Sequence, residues 1–380
     1  MNITPFENGC IVETIAADEV VAWTKQTGAS RLFLPPIQRS VVWKNAQIIN
    51  YWDSLLRGYP AGMMMVHRSR RIARTLEGTT SDTGTDDFDL FDGQQRLTAI
   101  LLGHAAGQLN ARIKLWVDLG VEPAADSGLL FQLRVNSTGQ PFGYQATSPN
   151  EKPSLGQRSA KIEAWKQAKN LSVFVSEETF HTVTGKDLIG AQCAFPLSRA
   201  ICVLLARGES NAREEIAREC PEAASDKIKS FIQALGNALK RPIIFQLVDQ
   251  AIIENEEEYV RYFGRLGQGG TPLSNDELTY SIIKHQYPEV HDRMKEIMEG
   301  SAGRMASEVN LVLAALRVAK LYSGWDGDGK EWKIIGRPYP AFVSGLKQLP
   351  GVLREFQQML PTHKGGRLQI LLEAIRRRLA

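Results

Sequence analysis

The amino-acid sequence predicts an α+β protein whose N-terminal part mixes strands with helices and whose C-terminal part is mostly helical. Two observations support this prediction. Short apolar or alternating runs, which are typical of strands, occur mainly before residue 145, whereas the three- and four-residue apolar spacing of helices dominates after it. A turn-rich stretch at 137–154 separates the two parts, so the sequence predicts domains at 1–145 and 146–380.

The bulk composition is that of an ordinary globular protein. Of the 380 residues, 43% are hydrophobic, and the net charge of +3 does not by itself favour a nucleic-acid partner. The four cysteines form no C-x-x-C pair, so we expect neither a zinc site nor a disulfide framework, and the predicted location is the reducing cytoplasm. The N-terminus does not resemble a signal peptide and the longest apolar runs are too short to cross a bilayer, so no membrane partner is expected.

The elements of the N-terminal part follow from apolar spacing and from turn residues. Apolar side chains line one face of a predicted helix over 45–58, which Asn45 caps and Gly58 ends. The stretch 31–43 must be extended, because two consecutive prolines cannot continue a helix. The other predictions are a helix over 17–28, a strand at 62–68, a hairpin or loop from 71 that leads into a strand at 88–91, a helix to about residue 106, and strands over 112–119 and 128–136.

The C-terminal part contains one clear strand, over 241–249, among helices whose apolar stripes are core surfaces. The helices are predicted over 155–170, 197–207, 212–240, 256–266, 274–286, 289–299, 304–322 and 366–379.

The stretch "FDGQQRLTAI" (91–100) allows a structural and a functional interpretation. In the structural one, Asp92 caps the N-terminus of a helix and Gln95, three residues later, completes a capping box. In the functional one, Gly93 lets a ligand approach the backbone closely, and the helix N-terminus attracts an anion. Arg96 in the first turn opposes the helix dipole, which an external anion would compensate. Arg96, Gln94 and Gln95 then supply donors for a phosphate, while Asp92 suits a metal ion or a water.

Two further stretches have residues suited to an anion. In "LPPIQRSVVW" (34–43), Gln38 and Arg39 follow two prolines that stiffen an extended segment. In "FGRLGQGGTPLSNDEL" (263–278), Arg265 precedes a glycine-rich loop that could move over a ligand. Ser274 and Glu277 then form another capping box, which needs no function.

Together and in this order, these stretches resemble the GmrS-type N-terminal domain of the GmrSD family of type IV restriction enzymes. That domain belongs to the ParB and sulfiredoxin superfamily and recurs in bacterial phage-defence proteins. The matching stretches are "PPIQRSVVW", "SLLRGYPAG", "FDGQQRLTAI" and "FGRLGQGGTPLSNDEL", which cover about 31–103 well and 259–290 recognisably. The resemblance implies a ParB/sulfiredoxin-like N-terminal domain, nucleotide binding and Mg²⁺-dependent hydrolysis of a nucleoside triphosphate.

The residues implied by the resemblance are those at the matching motif positions. A departure is Gly267, which stands where the family often has Asn, and a second is that no H-N-H nuclease motif is found in the chain. The chain would then act alone or with a partner defence protein. The implied catalytic residues are Asp92, Gln95 and Arg96, with Asp92 as the metal ligand, and the implied nucleotide-binding residues are Gln38, Arg39, Gly93, Gln94 and Arg265.

The first functional hypothesis is therefore a nucleoside triphosphate hydrolase of bacterial phage defence. The alternative is a non-catalytic DNA-binding or DNA-modification-sensing module that works with a partner effector. In that case "HRSRRIAR" (67–74) and "RVNSTGQPFGYQ" (134–145) are candidate DNA contacts, although a solvated hairpin edge also explains the first. A third hypothesis, direct nuclease action, would need the acids Asp86, Asp87, Asp89 and Asp92 to hold a metal, and an acidic loop is the commoner explanation.

Overall fold

The structure is a computed structural model that describes residues 11–27, 30–34, 43–69, 73–74, 80–81 and 87–255. Beyond these it describes the isolated positions 258, 261–262, 265–266, 280 and 309–310. Contacts within the chain divide it into two compact units, Met1–Ile253 and Glu254–Ala380. Apart from the isolated positions, the helices predicted from residue 256 onward lie outside the described residues.

The described residues form both strands and helices in alternation, which confirms the α+β class. The strands are β1 (Val12–Ala16), β2 (Leu32–Phe33), β3 (Met63–Arg68), β4 (Ala73–Arg74), β5 (Thr80–Ser81), β6 (Phe88–Asp92), β7 (Ile113–Asp118), β8 (Gln132–Ser137), β9 (Ala194–Pro196) and β10 (Pro242–Leu247). The helices are α1 (Ala17–Thr24), α2 (Asn45–Leu56), α3 (Gln94–Gly103), α4 (Leu155–Lys169), α5 (Ser176–Thr182), α6 (Leu197–Glu219), α7 (Ser225–Leu239) and α8 (Gln250–Glu254).

Five strands form a mixed sheet in the order β1-β10-β3-β6-β2. In it β2 runs parallel to β6 and β10 runs parallel to β3, whereas the β1–β10 and β3–β6 pairs are antiparallel. A second, antiparallel sheet has the order β8-β7-β9, and β4 pairs with β5 as predicted for a hairpin. Because β2 and β6 are parallel, their C-terminal ends lie at the same end of the main sheet.

The domain boundary predicted near residue 145 does not separate two compact units. The late strand β10 lies between β1 and β3, so residues from both sides of that boundary share one sheet. One hydrophobic core likewise extends from Ile15 to Phe245. The local pattern could not reveal this arrangement, because it depends on pairing between strands that are more than 170 residues apart in the sequence.

The helices differ from the prediction around residue 220. The sequence predicted one helix over 212–240, but α6 ends at Glu219 and α7 begins at Ser225. Pro221 explains the break, since a proline forces the preceding residue out of helical geometry and Cys220 has φ −127° and ψ 61°. The predicted gap before residue 212 corresponds to Gly208, where the backbone leaves helical geometry with φ 81°. Within the described part of the chain, no helix has the length and apolar character needed to cross a membrane.

Helix α3, which begins at the "DGQQR" motif, is held in place by α2. The apolar face of α2 is buried as predicted, and its Trp52 Nε1 donates a hydrogen bond of 2.7 Å to the carbonyl oxygen of Ala99 on α3. Gly103 permits this close crossing, because a Cβ there would lie 1.9 Å from the Trp52 ring. The packing of α2 on α3 thus positions the N-terminus of α3 at the edge of the sheet.

Candidate functional site

A tight turn joins β6 to α3 at the centre of the "DGQQR" motif. Asp92 is the last residue of β6, Gly93 is the N-cap residue, and α3 begins at Gln94. Gly93 has φ 102° and ψ 8°, and a Cβ at this position would lie 2.9 Å from Cγ of Met64. Glycine is therefore required both by the left-handed backbone and by the neighbouring strand. The predicted glycine turn between strand and helix is confirmed, whereas the approach of a ligand to the Gly93 backbone stays a prediction, because Met64 lies where the missing Cβ would be.

The capping box predicted for Asp92 and Gln95 is not formed. Asp92 is still paired with Met65 in the sheet, one residue before the capping position, and its carboxylate contacts Arg96 instead. Oε1 of Gln95 accepts a hydrogen bond of 3.2 Å from the backbone N–H of Trp43. Helix α3 consequently begins at a residue that has no side chain with which to cap it.

Arg96 is held at one end of its guanidinium group. Nη2 donates to the carbonyl oxygen of Met63 at 2.7 Å and to Oδ2 of Asp92 at 3.1 Å. The aliphatic part of the side chain lies against Gly62, where a Cβ would be 3.2 Å from Cδ of Arg96. The Nε atom is buried and has no hydrogen-bond partner. Arg96 therefore retains donor capacity that the protein does not use.

Gln94 is a buried amide in the first turn of α3. The residue is 7% exposed, and its Oε1 atom has no hydrogen-bond partner. Its backbone carbonyl is used within the helix, because it accepts a bond of 2.8 Å from the hydroxyl of Thr98. A buried polar atom without a partner costs about 1 to 3 kcal/mol, so such atoms are rare in folded proteins unless a ligand or a water satisfies them.

Sequence reasoning missed two aromatic residues beside the motif, Trp43 and Tyr51. Their rings pack edge to face with centroids 5.5 Å apart, and the Tyr51 hydroxyl donates to the carbonyl oxygen of Ala61 at 3.0 Å. Burial raises the pKa of Tyr51, while the nearby positive charge of Arg96 acts in the opposite direction. Trp43 and Ala61 were present in the quoted "VVW" and "GYPAG" stretches, but the pattern assigned them no contact with Gln95 or Tyr51.

The structure places only some of the other predicted residues. Gln38 and Arg39 lie outside the described residues. The described residues on either side of them approach the motif, because β2 leads to Leu34 beside β6 and Trp43 is bonded to Gln95. Arg265 is exposed and belongs to the second compact unit, so its role at the motif stays a prediction.

Among the described residues, the acids near the motif do not converge, and Asp86 lies outside these residues. Asp87 forms an ion pair with Arg31, whose Nε donates to Oδ1 at 2.8 Å, and Asp89 lies 3.8 Å from Nε2 of His67. Within the described ranges, no group of three His, Cys, Asp or Glu residues is placed to hold a metal ion. A single carboxylate such as Asp92 fits Mg²⁺ where nucleotide phosphates and waters supply the other ligands. The metal-holding acidic cluster needed for direct nuclease action is thus not found among the described acids.

The proposed DNA contacts in 134–145 are partly wrong. Arg134 is buried, and it donates to Oδ2 of Asp118 and to the carbonyl oxygen of Ile189, both at 2.9 Å. Asn136 is buried too, and its Oδ1 accepts a bond of 2.9 Å from Nε1 of Trp116. These side chains stabilise the second sheet and its neighbouring loop, and they could reach DNA only if those bonds broke.

A comparison with known protein families gives a match over most of the chain. The family model described as the GmrSD restriction endonuclease N-terminal domain matches residues 24–284, which is more than half of the chain. The match includes the β6–α3 turn, α2 and β10, and it extends the resemblance inferred from the motifs across the stretch between them. No curated protein matches the chain.

Proposed function

This chain belongs to the GmrSD restriction endonuclease N-terminal domain family, and from that premise we propose that its β6–α3 turn binds the phosphates of a nucleoside triphosphate. The proposal includes Mg²⁺-dependent hydrolysis of that nucleotide as part of a restriction-like phage-defence function. A partner defence protein that carries an effector activity is part of this proposal.

One observation supports this proposal most directly, namely that α3 starts at a left-handed glycine with no capping side chain. The first N–H groups of a helix and the positive end of its dipole attract anions. In the same first turn, Arg96 adds an unused donor for a phosphate oxygen, and Gln94 adds a buried unused acceptor for a hydroxyl or amino group of the ligand. A plain structural helix start needs neither of these.

In this proposal the residues of the motif have different tasks. Arg96 binds phosphate oxygens, and Gln94 contacts a polar group of the ligand. Gln95 links α3 to Trp43, because its side-chain oxygen accepts a hydrogen bond from the Trp43 backbone N–H. Asp92 is the described residue that would hold Mg²⁺, and a bound Mg²⁺ would neutralise the phosphate charge during transfer.

The test measures phosphate release from each of the four ribonucleoside triphosphates with Mg²⁺, in the presence and absence of DNA. Wild type is compared with Asp92→Ala, Arg96→Ala and the control Arg213→Ala. Arg213 is a matched control, because it forms an i,i+4 ion pair with Glu209 on α6 at 2.8 Å and its side chain is 33% exposed against 29% for Arg96. We expect release by wild type and Arg213→Ala only.

Nucleotide binding is measured on the same samples from the shift in melting temperature. A shift that disappears in Arg96→Ala and persists in Arg213→Ala supports binding at this turn. If Arg96→Ala binds as tightly as wild type, the nucleotide does not use this site and the proposal is wrong.

A second candidate function, DNA binding, is favoured by the surface of α4. This helix buries only Trp165, and its four basic residues, Arg158, Lys161, Lys166 and Lys169, outnumber its one acid. The helix therefore offers a basic surface suited to phosphates. If DNA binds there, affinity falls steeply with salt, and Lys169→Gln lowers the slope of that dependence by about 1. A slope that Lys169→Gln does not change would exclude a phosphate contact by this lysine.

A further inference from the structure

We propose that Asp92 and the nucleotide compete for Arg96, so that binding exchanges the partners of both residues. In the structure the Asp92 carboxylate pairs with Arg96. A phosphate then takes over Arg96, and the released carboxylate becomes a ligand for the accompanying metal ion. This inference rests on the proposed nucleotide site and states how that site is regulated before the ligand arrives.

The ion pair is weak enough to be exchanged. It is a single contact of 3.1 Å, and the side chains of Arg96 and Asp92 are 29% and 47% exposed. Ion pairs of such exposure contribute about 0 to 1 kcal/mol, because water screens the charges and both side chains lose freedom. A phosphate group, with more charge and more acceptor oxygens than a carboxylate, binds a guanidinium more strongly.

The contact between Arg96 and Met63 would keep the guanidinium in place during the exchange. Nη2 donates to the Met63 carbonyl oxygen at 2.7 Å, and this backbone acceptor does not depend on Asp92. Gly62, with φ 81°, leaves the space that the side chain of Arg96 occupies. Losing the Asp92 contact therefore changes the electrostatics at Arg96 while the second anchor remains.

The unpartnered Nε atom of Arg96 supports an anion larger than one carboxylate oxygen. Nε and Nη2 lie on one edge of the guanidinium and together can bind two oxygens of a single anion. Asp92 contacts Nη2 only, and Nε is buried without a partner. Because Nε is covered, an anion reaches it only after a neighbouring group moves, and the half-exposed Asp92 carboxylate is a neighbour in contact with that guanidinium.

Competition for Arg96 and simple positioning of Arg96 predict opposite changes in anion affinity for the same substitution. Asp92→Asn keeps the size of the side chain and removes its charge. If Asp92 competes with the phosphate, the variant binds a metal-free polyphosphate more tightly than wild type. If Asp92 only orients Arg96 for the ligand, the variant binds it less tightly.

The experiment is titration calorimetry with inorganic tripolyphosphate in EDTA, using wild type, Asp92→Asn, Arg96→Ala and the control Glu209→Gln. Glu209 is the acid of the i,i+4 pair on α6, so its substitution makes the same change in net charge outside the motif. We expect Asp92→Asn to bind up to about fivefold more tightly than wild type. Glu209→Gln should stay within about twofold of wild type, which is the effect of general charge alone.

Adding Mg²⁺ gives a second readout. Mg²⁺ should strengthen binding to wild type and have little effect on Asp92→Asn, because the variant lacks the released carboxylate. Asp92→Ala, which also removes the charge, keeps both measurements available if Asp92→Asn folds poorly, and melting curves identify that case.

The possible results separate the two proposals. If wild type binds tripolyphosphate and Arg96→Ala does not, while Asp92→Asn binds no more tightly than wild type, the exchange is wrong and the nucleotide site stands. If Arg96→Ala binds as well as wild type, the anion does not use this turn, and both proposals are wrong.

Discussion

The buried Asp118–Arg134 pair and the exposed Asp92–Arg96 pair consist of the same two residue types in opposite surroundings. Asp118 lies on β7 opposite Gln132, and Arg134 lies on β8 opposite Trp116. Their side chains are 0% and 5% exposed, respectively. Arg134 donates to Asp118 and to the carbonyl oxygens of Ile189 and Gly190. Asp118 also accepts a bond of 2.8 Å from the backbone N–H of Cys193. This pair connects the second sheet to the loop that precedes β9.

The Asp92–Arg96 pair leaves some of its hydrogen-bonding groups unused. The two side chains share one contact, and Nε of Arg96 has no partner. The comparison teaches that the type of residue does not separate a structural pair from a binding pair. Unused donors and access to water are required for binding but do not identify a site by themselves, since Arg213 of the control pair also has a buried Nε without a partner. A saturated buried pair maintains the fold, and an unsaturated exposed pair can bind something else.

The strongest way to test the comparison is to break the buried pair. Arg134→Met leaves Asp118 charged and buried without its partner, so we expect the free energy of unfolding to fall by about 3 to 5 kcal/mol. Urea denaturation measures this loss. Arg213→Met, which removes an arginine from a half-exposed pair, serves as the control. A loss below about 1 kcal/mol in Arg134→Met would show that Asp118 does not depend on Arg134.

The second prediction concerns the pH dependence of stability caused by His104 at the end of α3. Its Nε2 atom is buried without a hydrogen bond, and burial together with the charge of Lys25 lowers its pKa from 6.5 to about 4. The folded state then binds fewer protons than the unfolded state between these values, so stability is complete above pH 6.5 and falls as the pH approaches 4.

We expect the free energy of unfolding to fall by about 1 to 2 kcal/mol between the unfolded pKa of His104 and a pH about 1.5 units lower. His104→Gln should remove this part of the pH dependence, which denaturation curves at several pH values measure. An unchanged dependence in His104→Gln would mean that His104 is as easily protonated in the folded protein as in the unfolded chain.

The smallest expected effect on stability belongs to the exposed pair. Arg96→Met should change the free energy of unfolding by less than about 1 kcal/mol, because its ion pair is half exposed and weak. Urea denaturation again provides the value, for direct comparison with Arg134→Met. A loss as large as that of Arg134→Met would make Arg96 a structural residue and remove the basis of the comparison.

Much of the fold was predictable, because local spacing decides where elements lie. The apolar face of α2 and the strands β3, β6 and β10 agree with their predicted positions to within a few residues. The motif residues were correctly placed at the junction of a strand and a helix. The contacts of Trp43 and Tyr51 were not predictable, because they join parts of the chain that are about ten to fifty residues apart.

By itself, the sequence determined the α+β class, the glycine turn at the start of α3 and, through the order of its motifs, the family. Tertiary structure alone decided that Asp92 pairs with Met65 in the sheet instead of capping α3, that Arg134 is buried, and that β10 joins the N-terminal strands. The physical reason is the range of the interactions. Spacing and turn chemistry act over a few residues, whereas burial and strand pairing depend on which distant segments meet in the folded chain.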